Sequence, residues 1–213
     1  LTDVGSVKKK AIALIEKNIP KNISWISSHP IAGTEESGPE SGFSDLFKNR
    51  WCILTPSKQS NDQDVQLLKM FWKKLGSKVD VMNSKQHDYI LSITSHMPHL
   101  IAYNIVNTTL NVKKKKDQDI VKYSAGGLRD FTRIAASNPV MWRDIFIQNR
   151  ENTAKMIDKF IRNLNSEFNN YKILYGGSIK STNSTDIKNL KNVDGCLVGG
   201  SSLKVEEFNT IIS

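Results

Sequence analysis

The feature that most constrains the fold of this 213-residue chain is a long stretch of helical periodicity in its middle. From Ser84 to Leu110 apolar residues recur at Ile90, Ile93, Met97, Leu100, Ile101 and Ile105, the spacing of one buried helix face. The pattern predicts a single long helix kinked near Pro98, because proline lacks an N–H and its ring clashes with the preceding turn. A second helix is expected from about Pro139 to Phe168. No strand pattern lies between them, so 84–165 reads as an all-α domain.

Strands and helices alternate on both sides of that block. Residues 7–18 (VKKKAIALIEKN) have helical spacing and stop before Pro20, and ISWIS (23–27) reads as a buried strand leading to His29. The glycines and prolines of HPIAGTEESGPESGF predict ordered irregular backbone. WCILT (51–55) and KVDVM (78–82) are strand candidates flanking the helix QDVQLLKMFWKKLG. Residues 1–83 thus read as the late part of an α/β sheet, and the opening TDVGSVK, with no Met, reads as a strand end entered from a longer protein. After 166 come KILYG, a helix around TDIKNL, DGCLVGG and a helix from Leu203, which makes two βα units in a row. The expected fold class is α/β plus all-α, in the segments 1–83, 84–165 and 166–213.

No apolar run approaches the ~20 residues needed to cross a bilayer, and no signal peptide is visible. Cys52 and Cys196 are far apart and match no metal or redox spacing, which fits a reduced, cytoplasmic protein without a membrane partner. The formal net charge is +9, and its excess lies before Ser166: 25 basic against 16 acidic residues there, five of each beyond. Most lysines are scattered. The dense run KKKK (113–116), where the apolar pattern lapses, is expected to be a solvated loop. A basic surface interleaved with aromatic residues is not evident, so nucleic acid is not an expected partner.

Histidine carries the chemistry of the first part. His29 follows a strand and opens a glycine-rich loop, a position from which an imidazole reaches into a cleft and can take a proton near neutral pH. His96 and His99 lie three apart on one helical face around Pro98, whereas His87 is out of phase with them and reads as structural. HMPH alone does not make a metal site, and no metal is expected. In GGLRDFTRIAASNPVMWRD (126–144), Gly126 and Gly127 permit close backbone approach, and Arg129 and Arg133 fall one turn apart. Either an arginine fork holds a carboxylate, or both arginines pair with Asp130 and Asp144 in a surface network. No complete GxGxxG, Walker loop or Ser-His-Asp order is present. These residues by themselves point to a small-molecule enzyme using His29 and an arginine.

TDVGSVK, SSHPIAGTEESG, ILTP, QHDY, SHMPHLIA and GGLRDFTRIAASNPVMWRDIF follow in the order and spacing of prephenate and arogenate dehydrogenases, which the chain resembles over about 1–160. The resemblance implies oxidative decarboxylation of prephenate or arogenate on the route to tyrosine, with hydride passing to NAD or NADP, and a homodimer formed by the helical domain. It assigns His29 as the base that draws the proton from the substrate hydroxyl and Ser6 as the residue orienting it. Arg133 would bind a substrate carboxylate, and His99 and His96 would line the cleft with Gly127, while Thr34 and Glu35 shape its mouth. The glycine-rich dinucleotide loop of that family is expected to be missing from this chain, leaving catalysis incomplete.

KILYGGSIKSTNS (172–184) has the look of a phosphate-gripping loop of a different kind. With VDG and LVGGSSLK it resembles the last two βα units of triosephosphate isomerase over about 166–213. There Gly177, Ser178, Gly199 and Gly200 would be the vestige of a phosphate site. The barrel's earlier strands and catalytic residues are not in this sequence, so isomerase activity is not expected. The alternative to a dehydrogenase is a non-catalytic dimerising or ligand-binding fragment from a chimeric reading frame.

Overall fold

The computed structural model describes residues 1–33, 36, 38–116, 120–167, 172, 174–175, 179–191 and 193–212. It divides into two compact units, Leu1–Ala154 and Lys155–Ser213.

The first unit opens with α1 (Lys9–Asn18), β1 (Ser27–Pro30), β2 (Trp51–Thr55), α2 (Asp62–Lys74) and β3 (Lys78–Val81). The sheet runs β1-β2-β3, with β1 antiparallel and β3 parallel to β2. Residues 1–3 lie alongside β1, where Ile26 N donates to Leu1 O and Ser28 N to Asp3 O. The expected strand at 23–27 is displaced. Pairing starts at Ser27, opposite Thr55 at the end of β2, so 23–26 have no partner there, although Trp25 and Ile26 are buried. Asn61 caps α2 by accepting from Gln63 N, acidic residues occupy its first turn, and Lys73 and Lys74 its last. Its Trp72 packs with Cys52 and Leu54 of β2. The turn from α2 to β3 needs Gly76, whose φ is +86° and whose missing Cβ would lie 3.2 Å from Lys48 Cα.

The helical half contains α3 (Ser84–Leu91), a π-helical segment Ser92–His96, α4 (Met97–Lys116), α5 (Gly126–Ala135), α6 (Pro139–Gln148) and α7 (Arg150–Glu167). The stretch read as one helix around Pro98 carries a π-helical segment just before the proline, a widening of the kind that makes room for a ring lacking an N–H. Two expectations are corrected. The KKKK run is not a loop, since α4 continues through Lys116, as lysine's good helix propensity permits without an apolar face. The single helix from Pro139 is two, broken at Asn149, whose side chain turns inward to serve other groups. Val7, just ahead of α1, packs with Trp142 and Ile145 of α6 and joins the two halves.

The second unit holds β4 (Leu174–Tyr175), α8 (Ser184–Lys188), β5 (Gly195–Cys196), a 3₁₀ turn Gly200–Leu203 and α9 (Val205–Ile212). The strands pair in parallel, Leu174 opposite Gly195, over a small core of Ile179, Ile187 and Ile211. The expected strand in DGCLVGG is confined to Gly195–Cys196, and the last helix begins after the 3₁₀ turn.

Candidate active site

In the first unit a cavity of about 410 Å³ opens beside the end of β1. Ser6 from the turn before α1, His29 from β1, His96 from the π segment, His99 from α4 and Arg133 from α5 all line it. Four sequence segments therefore deliver expected site residues to one place. Gly127, at the start of α5, is not among the lining residues. Thr34, Glu35, Gly177 and Ser178 lie outside the described residues. Gly199 and Gly200 follow β5 in the second unit, with open space where a Cβ would stand.

His29 is held from behind. Its Nδ1 lies 2.8 Å from His87 Nε2, and His87 Nδ1 lies 2.8 Å from Asp88 Oδ1. Asp88 accepts in turn from the backbone amides of Lys8 (2.8 Å) and Lys9 (2.9 Å) at the start of α1. Asn149, from the break between α6 and α7, donates to Asp88 O at 2.7 Å and contacts His96 Nδ1 at 3.0 Å. Lys8, fully buried, ties the opening turn to β1 through Asp3 Oδ2 (2.7 Å) and Ser28 O (2.5 Å). His99 donates from Nδ1 to Ser95 O at 2.9 Å and stacks on Trp142 with ring centroids 3.6 Å apart. The buried Trp142 Nε1 has no partner among the described residues.

These surroundings set the charges. Burial, reinforced by His87, Lys8 and His96, pushes His29 down to about 3. Burial, opposed by Asp88, takes His96 down to about 4, and burial also lowers His99. Burial works to raise the Asp88 carboxyl, but the hydrogen bonds from His87, Lys8 and Lys9 outweigh it and leave Asp88 below its ordinary value. The imidazoles of His29 and His96 are therefore neutral at physiological pH. Arg133 carries no ion pair among the described residues, whereas Arg143 pairs with Asp144 at 2.8 Å. The surface network considered for Arg133 is thus not formed; its guanidinium is available at the cavity.

His87 reads from the sequence as structural, and Asp88, Ser95, Trp142 and Asn149 are not singled out there. QHDY marks the first two only as part of a motif, and nothing local distinguishes Asn149. Among the described residues no three of His, Cys, Asp and Glu converge as a metal site requires, and no helix is long and apolar enough to cross a membrane. A dinucleotide's pyrophosphate normally rests on a free helix N-terminus behind a glycine-rich turn. Here the helix after the Gly5 turn is α1, and Asp88 already occupies its first amides. The start of α1 therefore does not offer the free amides that part of a nicotinamide cofactor needs.

Fold and site together define a protein in which an α/β half meets a helical half around a histidine-lined cavity. Residues 1–81 match the family described as prephenate dehydrogenase, nucleotide-binding domain, and 83–170 the prephenate dehydrogenase dimerization domain. Residues 147–213 match triosephosphate isomerase. The cyclohexadienyl dehydrogenase of Zymomonas mobilis is 39% identical over 164 residues, covering 77% of this chain and 56% of that protein. The crystal structure of prephenate dehydrogenase from Aquifex aeolicus in complex with hydroxyphenyl propionate and NAD+ superposes with a TM-score of 0.71 at 41% identity, covering 78% of this chain and 57% of that one. A triosephosphate isomerase of Francisella tularensis is 52% identical over 60 residues, covering 26% of this chain and 24% of that protein. Residues 1–170 belong to the prephenate dehydrogenase family, and residues 147–213 are similar to triosephosphate isomerase. The chain spans about half the length of the dehydrogenases it matches.

Proposed function

We propose that residues 1–165 are the substrate-binding and dimerising part of a prephenate or arogenate dehydrogenase, acting in tyrosine biosynthesis, with 1–83 and 84–165 as its successive domains and 166–213 as a separate isomerase-like tail. The observation that carries this reading is the convergence of a neutral His29 and an unpaired Arg133 on one cavity. Arg133 holds a substrate carboxylate. His29 accepts the proton of the ring hydroxyl as that carbon is oxidised, with Ser6 beside it to orient the hydroxyl. The stacked His99 and Trp142 give a flat wall suited to a six-membered ring. Loss of CO2 then makes the ring aromatic.

A nicotinamide cofactor, NAD or NADP, would supply the hydride acceptor, and its pyrophosphate would rest on residues other than those described here. The helical half would pair with a second copy. Exposed Leu110 on α4 and Val140 and Ile147 on α6 support such an interface. The isomerase-like tail takes no part in this chemistry and has no isomerase activity of its own. A residual phosphate site at Gly177, Ser178, Gly199 and Gly200 is the lesser reading, since the hydroxyls of Ser201 and Ser202 beside the last two glycines already donate to Ile179 O and Gly199 O.

The test is turnover of prephenate by this chain fused to the portion of the Aquifex aeolicus enzyme that lies outside the match. His29→Asn is expected to lower kcat by ~10²–10⁴ with little change in KM. Arg133→Ala is expected mainly to raise KM. The opposite pattern would overturn both roles.

A further inference from the structure

The assignment of His29 as an acceptor rests on which of its ring nitrogens carries the proton, and the groups behind it determine that. Asp88 receives three hydrogen bonds, from Lys8 N, Lys9 N and His87 Nδ1. A carboxylate at a helix N-terminus is favoured as an anion, and an ionised carboxylate can only accept. The hydrogen between Asp88 and His87 therefore sits on His87 Nδ1. In a neutral His87 the other nitrogen, Nε2, is then a lone pair. It faces His29 Nδ1 at 2.8 Å, a distance at which two lone pairs repel, so His29 Nδ1 must carry the hydrogen. His29 Nε2 is left as the unprotonated nitrogen, and nothing among the described residues hydrogen-bonds to it.

We infer that Asp88 and His87 are positioning residues, a relay that locks His29 in the Nδ1–H tautomer and presents Nε2 as a ready acceptor. The inference deepens the reading of His29 as the base and rests on it. When the substrate O–H breaks and the Nε2–H bond forms, His29 becomes an imidazolium. Its Nδ1–H points along the chain to His87 and the Asp88 anion, which stabilises the charge without a second counter-ion entering the cavity. Asp88 is itself held by the first turn of α1, so the orientation of this base is anchored in the turn that also bears Ser6.

His96 is set the opposite way. Asn149 must present its amide nitrogen to the Asp88 carbonyl, so the same nitrogen donates to His96 Nδ1 and leaves the proton of neutral His96 on Nε2. One cavity thus holds two neutral imidazoles of opposite tautomer. The competing arrangement is a His87 imidazolium donating to both neighbours, which would reverse His29. It places a cation beside the Asp88 carboxylate and within the electrostatic reach of His96.

The sequence has four histidines, so their ring nitrogens can be resolved by long-range ¹H–¹⁵N correlation on the intact chain at pH 7. The expected spectrum shows a pyridine-type Nε2 on both His29 and His87 and a pyridine-type Nδ1 on His96. The Nδ1–H form of His29 should exceed the other by about tenfold or more, the ratio given by one hydrogen bond in a charge-assisted chain. His87→Gln keeps an acceptor and should retain that form, whereas His87→Leu should release it. A pyrrole-type Nε2 on His29, or a protonated His87, in the unaltered chain overturns the relay even if His87→Leu does not fold. So does an unchanged His29 tautomer in a folded His87→Leu. The readout is independent of turnover: failure of His29→Asn to lower kcat, with these tautomers intact, would remove the base reading and leave the relay standing.

Discussion

The first unit buries Lys8, His87, Asp88, His96 and Asn149 in one connected set of hydrogen bonds, whereas the second closes over Ile179, Ile187 and Ile211, with Ser184 the fully buried polar residue among its described positions. Apolar burial alone is enough to make a fold. Burying ionisable groups costs free energy unless every one is partnered, so a chain that does so densely is using them for something besides stability. The difference makes the first unit the place to test for chemistry, while the described core of the second is apolar packing.

The strongest way to break the comparison is at Asp88. Asp88→Ala leaves the Lys8 and Lys9 amides and His87 Nδ1 without their acceptor, and should cost the first unit about 3–5 kcal/mol in chemical denaturation. A loss below about 1 kcal/mol, the scale of an ordinary exposed ion pair, would show that the network is not the keystone described.

The pH dependence gives a smaller, graded effect. His29 and His96 have folded values of about 3 and about 4, below the ~6.5 of an unfolded histidine. The unfolded chain therefore binds more protons in that window, and stability falls as pH drops from about 6.5 towards 4, with a slope of up to about 1.4 kcal/mol per pH unit for each histidine. The lowered Asp88 value acts in the same direction at the acid end. Urea denaturation between pH 7 and pH 4 checks this. A flat profile would mean that these imidazoles are not held neutral.

Much of this was legible in the sequence, for physical reasons that differ by element. WCILT is apolar on both faces and bounded by turns, and α2 has its cap and its end charges, so local pattern suffices for both. His29, Ser6, His96, His99 and Arg133 could be carried over one motif at a time, because each motif holds its own side chains within a few residues, with SHMPHLIA supplying two. The His29–His87 contact spans 58 residues of sequence and depends on how α3 docks beside β1, which no periodicity encodes. The break at Asn149 was missed because it has neither proline nor glycine to announce it; the side chain's tertiary bonds end the helix. In KKKK the lapse of an apolar face was mistaken for the end of a helix that propensity alone could continue.

The most direct test of the central claim is calorimetric titration of the intact chain with hydroxyphenyl propionate, alongside Arg133→Ala and, in the tail core, Ile211→Ala. The account predicts one site on the first unit, weakened about tenfold or more by Arg133→Ala, as loss of a charge-assisted carboxylate contact requires, and unchanged by Ile211→Ala. Binding that ignores Arg133 but falls with Ile211→Ala would place the ligand in the tail and contradict it.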